Sequence, residues 1–230
     1  MKKLWDFKQH EYLKLHPEEF KETPGGACAA LAMRWAKMVL KAEKDYWLAP
    51  QVNQKNRADY FGKAKVPAKL GRIQQESEQH DLEMKRIFAA AVEKRGQISE
   101  QEFSVELDNV ETTISVSIRK VALGANLVVR EELTLLKGFP EYWTQCSGGS
   151  CYLFSASLGH FFAGYVTTGL RSWDYYFFDS ECGEYLANGE AEVEKLMGNF
   201  ETAYKKACGD KYIASTMRLK VEYCRATESI

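Results

Sequence analysis

The sequence predicts an α+β chain, with helices in the first half and mainly antiparallel strands in the second. Three observations carry this. Apolar residues recur at helical spacing after Ala27 and again between Arg72 and Arg95. From Cys151 onward, β-branched and aromatic runs are separated by turn residues. An amphipathic stretch, Glu190 to Cys208, interrupts those strands without alternating with them, so segregated layers are expected and not a βαβ sheet.

The bulk composition sets the frame. The chain has 230 residues, 45% hydrophobic and 13% aromatic, enough for the core of one large domain. Its 31 basic and 32 acidic residues leave a formal net charge of −1. That balance provides no basic stripe for nucleic acid and no polybasic membrane anchor. No apolar run approaches the roughly 18–20 residues a spanning helix needs, so no integral membrane segment is expected. The opening residues have no apolar core of the secretory kind: Lys2, Lys3, Asp6, Lys8, Glu11, Lys14 and Glu18 interrupt them. A product made in the cytosol is expected.

Taken in order, residues 1–24 read as a mostly polar lead-in, open as to export signal, pro-segment or part of the fold. It ends at the breaker Thr23-Pro24-Gly25-Gly26, and a domain over 25–230 follows. A helix begins near Ala27, with Leu31, Trp35, Met38 and Ala42 on one face. Asp45 to Gly62 is ambiguous. Arg72 to Arg95 is a helix with the stripe Met84, Ile87, Phe88, Ala91 and Val92, and Gly96 is placed to end it. Ile114, Val116 and Ile118 alternate like a strand, while Val121 to Leu136 fits helix as well. Cys151 to Thr168 is strand-forming, Gly169 to Ser172 a turn, and Trp173 to Asp179 a second strand that Tyr185-Leu186 continues after a bulge near Gly183. The helix over Glu190 to Cys208 turns Val193, Leu196, Met197, Phe200 and Tyr204 inward. Met217 to Tyr223 alternates as a half-buried strand.

Six cysteines are present: Cys28, Cys146, Cys151, Cys182, Cys208 and Cys224. A chain with this much apolar residue and no secretory signal has no need of staples, so free thiols are the reading. Cys146 and Cys151, spaced C-x4-C, lack the paired ligands of a closed zinc site, and neither metal nor cofactor is expected.

Cys28 stands out because it opens a long helix after a Pro-Gly-Gly turn. Unpaired N–H groups and the positive end of the helix dipole favour a thiolate there, and the same N–H groups can hold an oxyanion. The bland alternative is a small buried residue among Ala27, Ala29 and Ala30. A cysteine nucleophile needs a base. Of the four histidines, His10 and His16 fall in the polar lead-in and His80 on a solvated helix face, all three reading as surface. His160 follows Gly159 at the entry to the apolar run Phe161-Phe162-Ala163-Gly164-Tyr165-Val166. With the hairpin turn centred between Gly169 and Leu170, antiparallel partners have numbers summing to about 339, which sets Asp179 beside His160. A carboxylate there fixes the imidazole tautomer and stabilises the imidazolium. Asp174 fails the sum, and Glu181 and Glu184 miss it more narrowly.

Three of these segments resemble a known family. Gly26-Ala27-Cys28-Ala29-Ala30-Leu31-Ala32-Met33-Arg34-Trp35 is similar to the cysteine motif of the YopT/AvrPphB-type cysteine proteases. Gly159-His160-Phe161-Phe162-Ala163 resembles their histidine motif, and Phe177-Phe178-Asp179-Ser180-Glu181-Cys182-Gly183-Glu184-Tyr185 their aspartate segment, with Ser180-Glu181 where Pro-Asn is usual. The resemblance implies a papain-like α+β fold and peptide-bond hydrolysis without cofactor, with Cys28, His160 and Asp179 as catalytic residues. It implies an oxyanion site at the Cys28 N–H. Papain-like enzymes often place an amide side chain before the cysteine; Glu22 and Thr23 stand there, and Thr23 is the side-chain candidate donor. Family members are effectors that bacteria inject into host cells, where they cleave specific proteins. A host protein substrate is thus the implied partner. The same trio also suits transglutaminase, deamidase or acyltransferase chemistry. A protein-binding module of the same fold, presenting aromatics near Trp143 and Trp173, is the non-catalytic alternative.

Overall fold

The computed structural model describes residues 1–18, 20–21, 26–45, 54–62, 70–76, 78–79, 82, 86, 127–135, 143–144, 148–156, 160–167, 173–209 and 218–226. Strand β1 (Lys2–Trp5) and helix α1 (Gln9–Leu15) open the chain, followed by helices α2 (Cys28–Asp45) and α3 (Gln54–Gly62). Residues 70–76, 78, 79, 82 and 86 are also helical. Strands β2 (Leu127–Leu135), β3 (Ser150–Ala156), β4 (His160–Val166), β5 (Asp174–Asp179) and β6 (Gly183–Asn188) precede helix α4 (Glu190–Cys208) and strand β7 (Arg218–Ala226). Among the described residues, the seven strands join one antiparallel sheet in the order β1-β6-β5-β4-β3-β7-β2. The α+β expectation holds.

The sheet is covered on both faces. Leu153, Phe161, Ala163, Tyr176 and Phe178 meet α2 on one face; Phe154, Phe162, Tyr175 and Phe177 meet Val193, Leu196 and Met197 of α4 on the other. A strand buried on both sides loses its polar alternation. That is why Cys151 to Thr168 reads as one long apolar run, whereas it folds as the hairpin β3–β4, with Ser150 opposite Val166 and Ala156 opposite His160. Tyr185-Leu186 likewise does not continue β5. The chain reverses at Ser180–Cys182, and β6 runs back along β5 with Asp179 opposite Gly183. For residues 127–135, open between helix and strand, the structure is a strand paired with β7. The stripe from Met84 to Val92 and the alternation at Ile114 to Ile118 lie outside the described residues.

The lead-in is built into the fold. Lys2 pairs with Leu186 and Lys3 with Tyr185, making β1 the edge strand beside β6. Phe7, Tyr12 and Phe20 enter the α2-side core. The approach is so close that a Cβ on Gly183 (φ +94°) would sit 2.2 Å from the Trp5 carbonyl oxygen, so only glycine fits. His16, read as a surface residue, is buried against Tyr12 with ring centroids 4.9 Å apart. Trp143, offered as an exposed aromatic, is wholly buried, while Trp173 is 39% exposed.

Beneath β1 lies a buried charge cluster. Glu184 accepts from Trp5 Nε1 (3.0 Å), Trp35 Nε1 (2.7 Å), Arg57 Nε (2.9 Å) and Arg57 Nη2 (2.5 Å). Both charged side chains are 0% exposed. Phe178, directly opposite Glu184, faces α2, so Glu184 belongs to that face and not to the side of His160. One carboxylate thereby ties β1, α2, α3 and β6 together.

Candidate active site

Helix α2 begins at Cys28, and its first intrahelical bond runs from Leu31 N–H to the Ala27 carbonyl (2.9 Å). The orphan donors of such a helix start are commonly capped by acidic or hydroxyl side chains. Here two neutral carboxamides serve: Gln9 Oε1 accepts from Ala27 N–H (2.9 Å) and Gln74 Oε1 from Ala30 N–H (3.2 Å). The first turn of α2 contains no acidic residue. No carboxylate in that turn therefore opposes negative charge on the Cys28 sulfur. Cys28 is buried, 6% exposed.

His160 opens β4 and Asp179 closes β5. The register sets Phe162, not His160, opposite Asp179, so the sequence-based pairing is corrected by two residues. A shift of two preserves the face on which a side chain lies, whereas a shift of one reverses it. His160 therefore remains on the Asp179 side, and its Nε2–H donates diagonally to Asp179 Oδ2 at 2.6 Å. The imidazole also hydrogen-bonds the Cys28 side chain.

Burial alone favours the neutral ring of His160. The bonds with Asp179 and Cys28 outweigh it and hold the pKa at about 10, against an ordinary 6.5. Phe200 and Tyr204 of α4 pack on the imidazole, with centroids 6.3 and 6.1 Å away. They shield the His160–Asp179 bond from water, which strengthens it. Asp179 is 2% exposed. Its Oδ1 accepts from Glu181 N–H (2.8 Å) while its carbonyl accepts from Cys182 N–H (3.2 Å), so the same residue shapes the turn into β6. Burial, and then the adjacent Asp179, raise the Cys182 thiol to about 12 and keep it protonated. A cavity of about 240 Å³ adjoins the His160–Asp179 pair and is walled by Cys182, Phe200, Ala203 and Tyr204.

No family model matches the chain, and no curated protein matches it in sequence. In three dimensions it is similar to the crystal structure of the Pseudomonas avirulence protein AvrPphB. The TM-score is 0.50 at 13% identity, covering 87% of this chain and 92% of that one. The fold is papain-like.

The structure thus brings Cys28, His160 and Asp179 together. Thr23 and Glu22, considered for the oxyanion side, lie outside the described residues, as do His80 and Cys146. Asp174 accepts from Asn188 Nδ2 (2.6 Å) and opens β5, at the strand end opposite Asp179. Cys151 donates to the Ala36 carbonyl in the α2 core (3.7 Å). Among the described residues no group of three or more His, Cys, Asp or Glu is arranged to hold a metal ion, and no helix is long and apolar enough to cross a membrane. Sequence reasoning missed Gln9, which sits between the cysteine turn and the aspartate turn. The available signal was the apolar set Leu4, Trp5, Phe7, Tyr12 and Leu13, which marks the lead-in as packed.

Proposed function

We propose that this chain is a cysteine protease of the YopT/AvrPphB type, with Cys28 as nucleophile, His160 as acid and base, and Asp179 as the group that orients the imidazole. The observation that carries the reading is the partly buried Cys28–His160–Asp179 relay at the opening of α2, on a papain-like fold. The Cys28 sulfur, as thiolate, attacks a scissile carbonyl carbon, and the Cys28 N–H at the helix start receives the oxyanion. The C–N bond then breaks as the imidazolium of His160 passes its proton to the leaving amine. Water, giving a proton back to His160, attacks the thioester, releasing the acid and restoring the thiolate. The side-chain oxyanion donor remains assigned to Thr23, and the catalytic domain to 25–230 together with the lead-in strand and helix packed into it. No cofactor takes part.

The substrate is a specific protein of a host cell, into which a bacterium delivers the enzyme. The avirulence protein of similar fold supports that setting. The test compares wild type with Cys28→Ala in a eukaryotic lysate, scored by proteome-wide detection of new protein N-termini. A small set of new N-termini only with wild type is expected. Identical N-terminal profiles refute proteolysis, and amine incorporation into glutamine in their place reassigns the trio to acyl transfer.

A further inference from the structure

A closed circuit of hydrogen bonds passes through the candidate site. From Cys28 it reaches His160, and from His160 Nε2 it reaches Asp179 Oδ2 at 2.6 Å. Asp179 Oδ1 takes the Glu181 N–H at 2.8 Å. Glu181 Oε1 takes Gln9 Nε2–H at 3.1 Å, and Gln9 Oε1 takes the Ala27 N–H at 2.9 Å, one residue before Cys28. The backbone of Gln9 adds a strut, its N–H donating to the Ser180 carbonyl at 2.7 Å. Gln9 is 9% exposed, and its Nε2 lies where a Cβ on Gly26 (φ +120°) would come within 2.8 Å.

We infer that Gln9 is a positioning residue for the Cys28 chemistry: its carboxamide spans the cysteine turn and the aspartate turn and sets the distance between sulfur and imidazole. The inference rests on Cys28 being the nucleophile. The chemistry of the group fits the position. A carboxamide offers an acceptor to an N–H at one end and a donor to a carboxylate at the other. Glutamate at this position keeps the acceptor but faces Glu181 with like charge. Methionine fills the space with neither function. Gln9 touches no reacting atom in this arrangement; it acts through Ala27 and Glu181. Each half of the bridge is a side-chain hydrogen bond in a buried or half-buried setting, where loss leaves a polar group without its partner.

The titratable groups at the junction are His10, whose Nδ1 is 3.3 Å from Glu181 Oε2, together with Asp179, Cys182 and His160. A pH profile of Cys28 alkylation by iodoacetamide therefore reads the geometry directly, in the full chain, with a mass-spectrometric count of which cysteine is labelled. Gln9→Met is expected to slow Cys28 alkylation at pH 6 by about 3–10-fold and to move the low-pH limb upward by about half to one pH unit, the worth of one to two ordinary hydrogen bonds. Gln9→Glu is expected to be worse. The exchange pair Gln9→Glu with Glu181→Gln restores an acceptor for Ala27 N–H and a donor–acceptor contact between the two side chains. It is expected to recover most of the wild-type rate and limb position. A residue that serves folding alone lowers the melting temperature without displacing the limb.

The inference is overturned if the Gln9→Met profile superimposes on wild type, or if the exchange pair is no better than Gln9→Glu alone. Either outcome leaves the protease reading standing so long as wild-type Cys28 is labelled far faster than Cys182 and the other cysteines. If wild-type Cys28 shows no such selectivity, both fall together.

Discussion

Exchanging Glu184 for glutamine keeps the volume of the side chain and removes its charge, so no cavity complicates the outcome. Glu184 Oε2 accepts three bonds, from Trp5, Trp35 and Arg57 Nε, while Oε1 accepts one from Arg57 Nη2. Glutamine has a single side-chain oxygen. Whichever way its amide turns, an NH2 group faces donors, and the Arg57 guanidinium stays buried without its carboxylate. Breaking a buried pair from one side costs about 3–5 kcal/mol. For a chain of 230 residues each kcal/mol is worth about 2–4 °C, so the melting midpoint is expected about 6–20 °C lower. Urea unfolding of Glu184→Gln, Arg57→Met and the double variant completes the cycle. Because each single change strands the other partner, the double variant is expected to cost about 2 kcal/mol less than the two singles summed. A midpoint for Glu184→Gln within about 2 °C of wild type, set against that range, or strict additivity in the cycle, refutes the account of this cluster as a coupled buried pair.

The raised pKa of His160 fixes a pH dependence. The folded state holds the proton up to about 10 against 6.5 for the free side chain, so this contribution to stability is complete below 6.5 and is lost as pH rises toward 10. The stability gap between wild type and His160→Ala, measured by urea titration across pH 6 to 10.5, is expected to narrow with rising pH; a gap that widens or stays flat contradicts the bonds to Asp179 and Cys28. Gly183→Ala places a Cβ 2.2 Å from the Trp5 carbonyl oxygen at a φ of +94°. Strain and overpacking together cost about 2–4 kcal/mol, and amide exchange at Lys2–Trp5 is expected to accelerate ahead of the central strands; unchanged protection there rules out the close approach.

Legibility in the sequence followed the physics of each element. Helix α4 was readable to its ends because only one of its faces is buried, which leaves a clean 3.6-residue stripe. The meeting of His160 with Asp179 was readable despite a register wrong by two, because strand side chains repeat every two residues and an even error keeps the face. The start of α2 was readable from its turn and glycines. The β3–β4 hairpin was not, since strands covered on both sides carry no alternation. Strand β1 was not either: four residues, two of them lysine, are too short for a pattern and owe their place to Glu184 and Gly183 far along the chain. Glu184 looks like any surface glutamate until its partners are known, because burial of a charge is a property of the fold and not of its neighbours in sequence.

Trp5 and Glu184 are separated by 179 positions along the chain, and Gln9 and Glu181 by 172. During synthesis Cys28 leaves the ribosome long before His160 and Asp179 exist, and the N-terminal strand must wait without a neighbour until β6 emerges. In a nascent chain that ends before that point, Cys28 has neither His160 nor Asp179 to meet. Closure of the sheet at β1–β6, and with it the meeting of Cys28, His160 and Asp179, therefore comes late in synthesis.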